Sequence, residues 1–137
     1  MILIDPKVKA ESDSFSATQQ RVKEYIKSHS SLQQNVAVVD LRDVTDMTIL
    51  HSSFKFLHYA IVPEATVAMR IYHPNLDPTK VRFQVGRSFI HPHPSQVDIA
   101  EVLKPLGGGG HSAAGGCTVA TELFQETFDT IITQLYS

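Results

Sequence analysis

The stretch LGGGGHSAAGGCTV, residues 106–119, could carry chemistry because it surrounds His111 with six glycines and three small residues. Glycine is unfavourable in helices and strands, so secondary-structure propensity does not explain this composition. Four consecutive glycines, Gly107 to Gly110, leave main-chain N–H groups without side-chain obstruction, and such groups can bind phosphate without a formal charge. A histidine beside them can donate to a phosphate, or stack on or hydrogen-bond a base.

Two interpretations of this stretch stay open on its residues alone. In the first, residues 111–114 begin a helical turn whose unpaired N–H groups and positive dipole end face an anion. In the second, the glycines form a structural turn that carries a surface histidine. Residues 108–113 satisfy G-x-G-x-x-A, but they follow a predicted helix rather than a strand, and no Lys-Ser or Lys-Thr follows the glycines. A Rossmann dinucleotide site and a P-loop are therefore excluded.

Arg87 is the second candidate binding residue. It has the same alternating parity as the apolar residues Val81, Phe83 and Val85 of a predicted strand. An arginine on an apolar face is costly unless it is paired or contacts a ligand. The alternative is a bulge at Gly86 that turns Arg87 towards solvent.

Metal and nucleophile chemistry have weaker support in the sequence. The prolines of the HPHP segment, residues 91–94, make it extended, so the two imidazole rings diverge, and His73 adds no carboxylate at metal-ligand spacing. Cys117 has apolar and β-branched neighbours, which are typical of a buried small residue rather than a nucleophile. We expect no metal site and no catalytic residue in this chain.

The totals predict one compact domain. The chain has 137 residues, of which 42% are hydrophobic, and its formal net charge is -2 with neutral histidines. No global basic field marks it as a nucleic-acid-binding protein, although a local phosphate site is still compatible with that charge. A single cysteine and the lack of a long apolar run or signal-peptide pattern predict a soluble cytoplasmic protein that does not engage a membrane. We expect a lead or linker over residues 1–14 and the domain over residues 15–137.

Alternating helical and strand patterns predict an α/β fold, with a mixed β-sheet and flanking helices. The predicted strands are residues 36–41, a hairpin of 65–73 and 80–88, and a short strand at 116–119. Four helices are predicted. The first runs from about residue 15 to 28, and the second contains Leu50, Phe54, Leu57 and Ile61 and ends at Pro63. The third covers residues 95–104, with Ser95 and Asp98 as a capping box, and the fourth runs from Phe124 to Leu135, with Thr121 as its cap.

Residues 86–119 resemble the C-terminal, DHH-associated domain of the DHH phosphoesterase superfamily. The family pattern is a strand ending in Arg-Ser, a helix start of hydrophobic-Asp-hydrophobic type, and Gly-Gly-Gly-Gly-His-x-x-Ala-Ala-Gly. Here the matches are Arg87-Ser88, Val97-Asp98-Ile99, Gly107 to His111, Ala114 and Gly116, while Gly115 replaces the second alanine. Members include nanoRNases (oligoribonucleases), cyclic dinucleotide phosphodiesterases and exopolyphosphatase-related proteins.

The resemblance implies a substrate-binding domain that partners a catalytic DHH domain holding manganese ions. It implies that the phosphate or base of a short oligonucleotide or small nucleotide is bound in one cleft by Arg87, Ser88, Gly108, Gly109, Gly110, His111 and Ala114. The chain has no Asp-His-His triplet, so we expect it to bind without cleaving and to hold no cofactor itself. Alternatives are a structural or oligomerisation domain, which would form a homodimer, and an autonomous hydrolase that uses His111 as acid or base.

Overall fold

The computed structural model describes residues 6–53, 65–87 and 97–135, with side chains described from residue 17 onwards. The helices are α1 (Pro6–Ser28), α2 (Met47–Ser53), α3 (Ile99–Leu103) and α4 (Phe124–Leu135). The strands are β1 (Ser30–Gln33), β2 (Val36–Asp40), β3 (Val67–Tyr72), β4 (Lys80–Arg87), β5 (Gly109–His111) and β6 (Ala114–Ala120). Short 3-10 turns occupy Pro74–Leu76, Lys104–Leu106 and Thr121–Leu123.

The six strands form one sheet in the order β1-β2-β3-β4-β6-β5. Strands β2 and β3 are parallel, and every other neighbouring pair is antiparallel. This mixed sheet with flanking helices confirms the predicted α/β fold class. The predicted hairpin of β3 and β4 is also confirmed, and the glycine-rich β5 is the edge strand opposite β1.

The sheet has two different faces. Val85 pairs with Met69 and Phe83 pairs with Ile71, and these side chains are buried together with Leu103 of α3 and Ile131 of α4. We call this side the helix-packed face. Burial of side chains of this size stabilises the fold by about 1.5–3 kcal/mol each. On the other side, a smaller buried cluster links α1 and α2 to the sheet through Val22, Ile26, Val39, Leu41, Val44 and Leu50.

Several element boundaries differ from the predictions. Helix α1 begins at Pro6, whereas residues 1–14 were expected to be a lead, because proline is compatible with a first helical turn and the following Lys, Ala and Glu favour helix. The division into lead and domain stays a prediction. Strand β1 lies between the predicted helix, which ends at about residue 28, and the predicted strand at 36–41, where no strand was predicted.

The predicted helix caps have different outcomes. Asp98 is the N-cap of α3, since its side chain accepts a hydrogen bond from the Glu101 N–H, whereas the predicted capping box placed Asp98 three residues inside the helix. Thr121 does not cap α4, because its hydroxyl donates to the carbonyl of Pro78 and a 3-10 turn precedes the helix. Ser95 and the predicted helical positions Phe54, Leu57 and Ile61 lie outside the described residues. In the described part of the chain, no helix is long and apolar enough to cross a membrane.

Candidate functional site

The glycine-rich stretch forms a β-hairpin, which we call the glycine hairpin and define as residues 107–116. Gly109 pairs with Gly116, Gly110 with Gly115, and His111 with Ala114. The first of the two interpretations, a helical turn over residues 111–114, is therefore wrong. The carbonyl of Ala113 accepts from the Arg87 N–H at 2.9 Å, and that of Ser112 accepts from the Ile99 N–H at 3.0 Å. These two bonds fix the hairpin tip to β4 and α3 and oppose a helical arrangement.

Most of the hairpin glycines are required by the fold. Gly107 has a φ of +81° and Gly110 a φ of +139°, a region that favours glycine. At Gly108 a Cβ atom would lie 2.5 Å from the Cβ of Cys117, and at Gly110 and Gly115 it would collide with the main chain of the paired strand. These positions are explained by close packing within the hairpin and against its neighbours.

Gly109 differs from the other hairpin glycines. A Cβ atom built at Gly109 meets no described atom within 4 Å, and the residue does not have a positive φ. It is exposed on the edge strand β5, which has no strand partner on its outer side in the described sheet. The described fold therefore does not require glycine at this position.

Arg87 ends an unbroken strand. Gly86 pairs regularly with Ala68 and Ala114, so the expected alternative of a bulge that turns Arg87 to solvent is wrong. The side chain lies on the helix-packed face, where its guanidinium donates to the carbonyl of Val97 at 2.6 Å. Its Nε atom is buried and has no hydrogen-bond partner among the described residues.

The predicted site residues come together at one end of the sheet, but not on one face. The main chain of Arg87 contacts the hairpin tip directly, and Ala114 is paired with Gly86. The register places the Arg87 side chain on the helix-packed face and His111 on the opposite one. A ligand that contacts both side chains must pass around the end of β4. Ser88 and the HPHP segment lie outside the described residues.

The sheet face opposite the helix-packed face holds polar residues that were not selected from the sequence. We call the part of this face formed by strands β3 to β6 the cationic face. The charged residues that these strands place on it are all basic: Arg70, Lys80 and Arg82. His111 and Gly109 belong to the same face. Arg82 alternates with the apolar residues Val81 and Phe83 of β4, so the sequence alone puts it on the other side of that strand. Only the register between strands shows that this face continues to the glycine hairpin.

Two arginines of the cationic face have fixed positions. Arg70 is 5% exposed and donates to Gln84 Oε1 at 2.6 and 3.1 Å and to Ser53 Oγ at 3.0 Å. Burial lowers the pKa of Arg70, and the positive charge of Arg82 lowers it further. Arg82 donates to Thr118 Oγ1 at 3.0 Å and lies across Gly116.

A second polar cluster lies at the β1–β2 edge of the sheet, away from the hairpin edge. The ring of His29 stacks on Tyr25 with a centroid distance of 3.8 Å, and its Nε2 lies 3.1 Å from Asp43 Oδ2. The Tyr25 hydroxyl donates to the same carboxylate at 2.5 Å. A groove of about 550 Å³ runs beside these groups. Among the described residues, no three His, Cys, Asp or Glu side chains are placed to hold a metal ion.

Comparison with known proteins gives no matching protein-family model and no matching curated protein. Solved structures do match. The pGpG-specific phosphodiesterase PggH from Vibrio cholerae shares 26% identity and a TM-score of 0.74, over 98% of this chain and 44% of that protein. An exopolyphosphatase-related protein from Bacteroides fragilis has a TM-score of 0.58 at 13% identity, over 86% of this chain and 34% of that one. A DHH domain from a member of a family of ribosomal proteins has a TM-score of 0.57 at 12% identity, over 95% of this chain and 33% of that one.

The mixed sheet and its flanking helices define a small α/β domain, and a DHH domain is among the solved structures that share this fold. The likenesses confirm the resemblance drawn from the sequence: the chain has the fold of the DHH-associated domain of the DHH phosphoesterase superfamily. The chain spans less than half the length of each of these three solved proteins.

Proposed function

We propose that this domain binds substrate for a DHH-family metal-dependent phosphoesterase. The ligand is a short oligonucleotide or small nucleotide, whose phosphate and base are held by the main chain of the glycine hairpin together with His111 and Arg87. The observation that carries the proposal is Gly109, an exposed glycine on an edge strand at a position where the described fold requires none. A ligand that approaches the main chain closely supplies the missing reason for glycine there.

The chemistry of the surroundings supports an anionic ligand. An edge strand presents main-chain N–H and C=O groups outside the sheet ladder, and N–H groups of this kind are donors for phosphate. His111 is exposed at the hairpin tip and lies on the same face as Arg70 and Arg82. The net charge of the chain is -2, so the cations of this face stand out against an acidic background.

Hydrolysis is assigned in this proposal to a separate catalytic DHH domain, in which manganese ions would activate water. The residues of this chain would bind and orient the phosphate groups. The likeness to a pGpG-specific phosphodiesterase supports a dinucleotide as the ligand, and the exopolyphosphatase-related likeness supports phosphate recognition in general. We place the domain in the cytoplasm, where a single reduced cysteine is stable.

The test is a calorimetric titration of the chain with pGpG, comparing the unmodified protein with Gly109→Ala and His111→Ala. A methyl group at Gly109 blocks close approach to the main chain, so we expect at least about a tenfold loss of affinity in each variant. His51→Ala is the matched control, because His51 is an exposed histidine on α2. Its affinity for pGpG should equal that of the unmodified chain.

Folding of each variant is checked by urea denaturation, where Gly109→Ala should stay within about 0.5 kcal/mol of the unmodified chain. Unchanged affinity in folded Gly109→Ala would contradict the proposal. If pGpG does not bind at millimolar concentration and the chain forms a stable dimer, the hairpin serves an interface instead.

A further inference from the structure

The side chain of Arg82 lies over β6 on the cationic face. Its guanidinium lies so close to Gly116 that a Cβ atom there would be 2.7 Å from one terminal nitrogen and 3.1 Å from Cζ. The other terminal nitrogen donates to Thr118 Oγ1 at 3.0 Å. Gly116 and Thr118 thus hold the guanidinium in one orientation against the strand.

No carboxylate lies within ion-pair distance of Arg82 in the described part of the chain, where the ion pairs involve Arg42 and His29. A guanidinium that is half-buried and already oriented loses little conformational freedom when it binds an anion. Its planar donors suit the oxygens of a phosphate group.

The register gives the distance from the Arg82 guanidinium to the tip of the glycine hairpin at His111. Gly116, beneath the guanidinium, is paired with Gly109, and His111 lies two residues further along the same strand and on the same face. Two residues of an extended strand span about 7 Å. A phosphate held at the hairpin tip therefore leaves Arg82 available to a second group of the same ligand.

We infer that Arg82 is a binding residue for a second phosphate, so that the cationic face selects a ligand with two phosphate groups over one with a single phosphate. This inference rests on the proposed function, since it assumes that the hairpin holds the first phosphate. Lys80 does not share this role, because it lies at the far end of β4 opposite Ala120 and is exposed.

The experiment compares pGpG, which has two phosphates, with GMP, which has one, on the unmodified chain and on Arg82→Gln. We expect Arg82→Gln to lower the affinity for pGpG about tenfold and to change the affinity for GMP by no more than about twofold. For pGpG, the slope of log affinity against log salt concentration should be smaller in magnitude in Arg82→Gln than in the unmodified chain, by about 0.7. This is the value expected for the loss of one phosphate contact to a single strand.

Lys80→Gln is the matched control, since it removes one positive charge from the same face without touching Gly116. It should change the affinity for pGpG and for GMP by no more than about twofold. The inference would be overturned if Lys80→Gln and Arg82→Gln lost the same affinity for pGpG, or if Arg82→Gln lost the same affinity for both ligands. Either result would show that the positive charge of the whole face acts on the ligand, rather than a contact from Arg82.

The failure of this inference is distinguishable from the failure of the proposed function. If pGpG binds the unmodified chain and is weakened by Gly109→Ala but not by Arg82→Gln, the hairpin site stands and the role of Arg82 is overturned. If the unmodified chain binds neither ligand, both are overturned. Urea denaturation of Arg82→Gln confirms that any loss occurs in a folded protein.

Discussion

The guanidinium of Arg87 donates a hydrogen bond to the main-chain carbonyl of Val97 with a nitrogen–oxygen distance of 2.6 Å. Val97 comes directly before Asp98, the cap of α3, so this bond ties the end of β4 to the start of that helix. The main-chain N–H of Arg87 also holds the hairpin tip through Ala113. Arg87 thus has a structural role in addition to the binding role that we propose for it.

The first prediction separates these two roles of Arg87. Replacement by methionine keeps much of the apolar stem but removes the donor to Val97, so the free energy of unfolding should fall by about 1–3 kcal/mol. Urea denaturation followed by circular dichroism measures this loss. Arg87→Lys retains a charged donor and should lose less. An unchanged midpoint in Arg87→Met would show that the bond to Val97 contributes nothing to stability.

Gly110 and Gly109 give a second prediction, because the fold requires glycine at the first position and not at its neighbour. Alanine at Gly110 must adopt a φ of +139° and collides with the main chain of Ala114, so we expect a loss of at least about 2 kcal/mol. Alanine at Gly109 has open space and should be near neutral. The two thermal unfolding midpoints, measured side by side, test the contrast. Equal midpoints would mean that the hairpin does not hold the backbone described for Gly110.

The sequence predicts those elements in which the spacing of apolar residues shows which side is buried. The alternation of Val81, Phe83 and Val85 indicates β4 and its apolar face, and the predicted helix over 95–104 contains α3. It also places Arg87 on the buried parity. These features are local, so they depend on neighbouring residues in the chain rather than on contacts between strands.

The remaining features depend on contacts that the sequence does not display. Glycine disfavours strands, yet β5 forms because its main chain pairs with β6 and the tip is held by Arg87 and Ile99. Whether His111 and Arg87 share a face follows from strand register, which a linear pattern cannot supply. For the same reason Arg82 could be assigned to a polar face but not to the face of the hairpin.

The Tyr25 and Asp43 pair gives a third prediction. Donation from the Tyr25 hydroxyl, together with His29, holds the pKa of the Asp43 carboxyl below its ordinary value of 3.8. Burial raises the pKa of Tyr25, and Asp43 raises it further, so the hydroxyl stays a donor. Tyr25→Phe removes this donor and keeps a ring that stacks on His29. The pKa of Asp43 should therefore rise in the variant, which a carbon-13 NMR titration measures.

The same pair sets the sign of a pH effect on stability. Because the pKa of Asp43 is lower in the folded chain than in the unfolded one, its stabilisation is present above about pH 4 and is lost as the pH falls through the folded-state pKa. The stability difference between the unmodified chain and Tyr25→Phe should shrink as the pH is lowered from about 6 to about 3. A difference that is constant over this range would contradict the assignment.

Cys117 gives the last prediction. Its side chain is 1% exposed beneath Gly108, and burial raises the pKa of the thiol, so the reactive thiolate is scarce and shielded. Labelling by a thiol reagent at about pH 8 should be at least about a hundredfold slower in the folded chain than in urea. Gly108→Ala pushes a methyl group against the Cβ of Cys117 and should accelerate labelling by loosening this contact. Labelling of the folded chain as fast as in urea would show an accessible thiol and return Cys117 to consideration as a nucleophile.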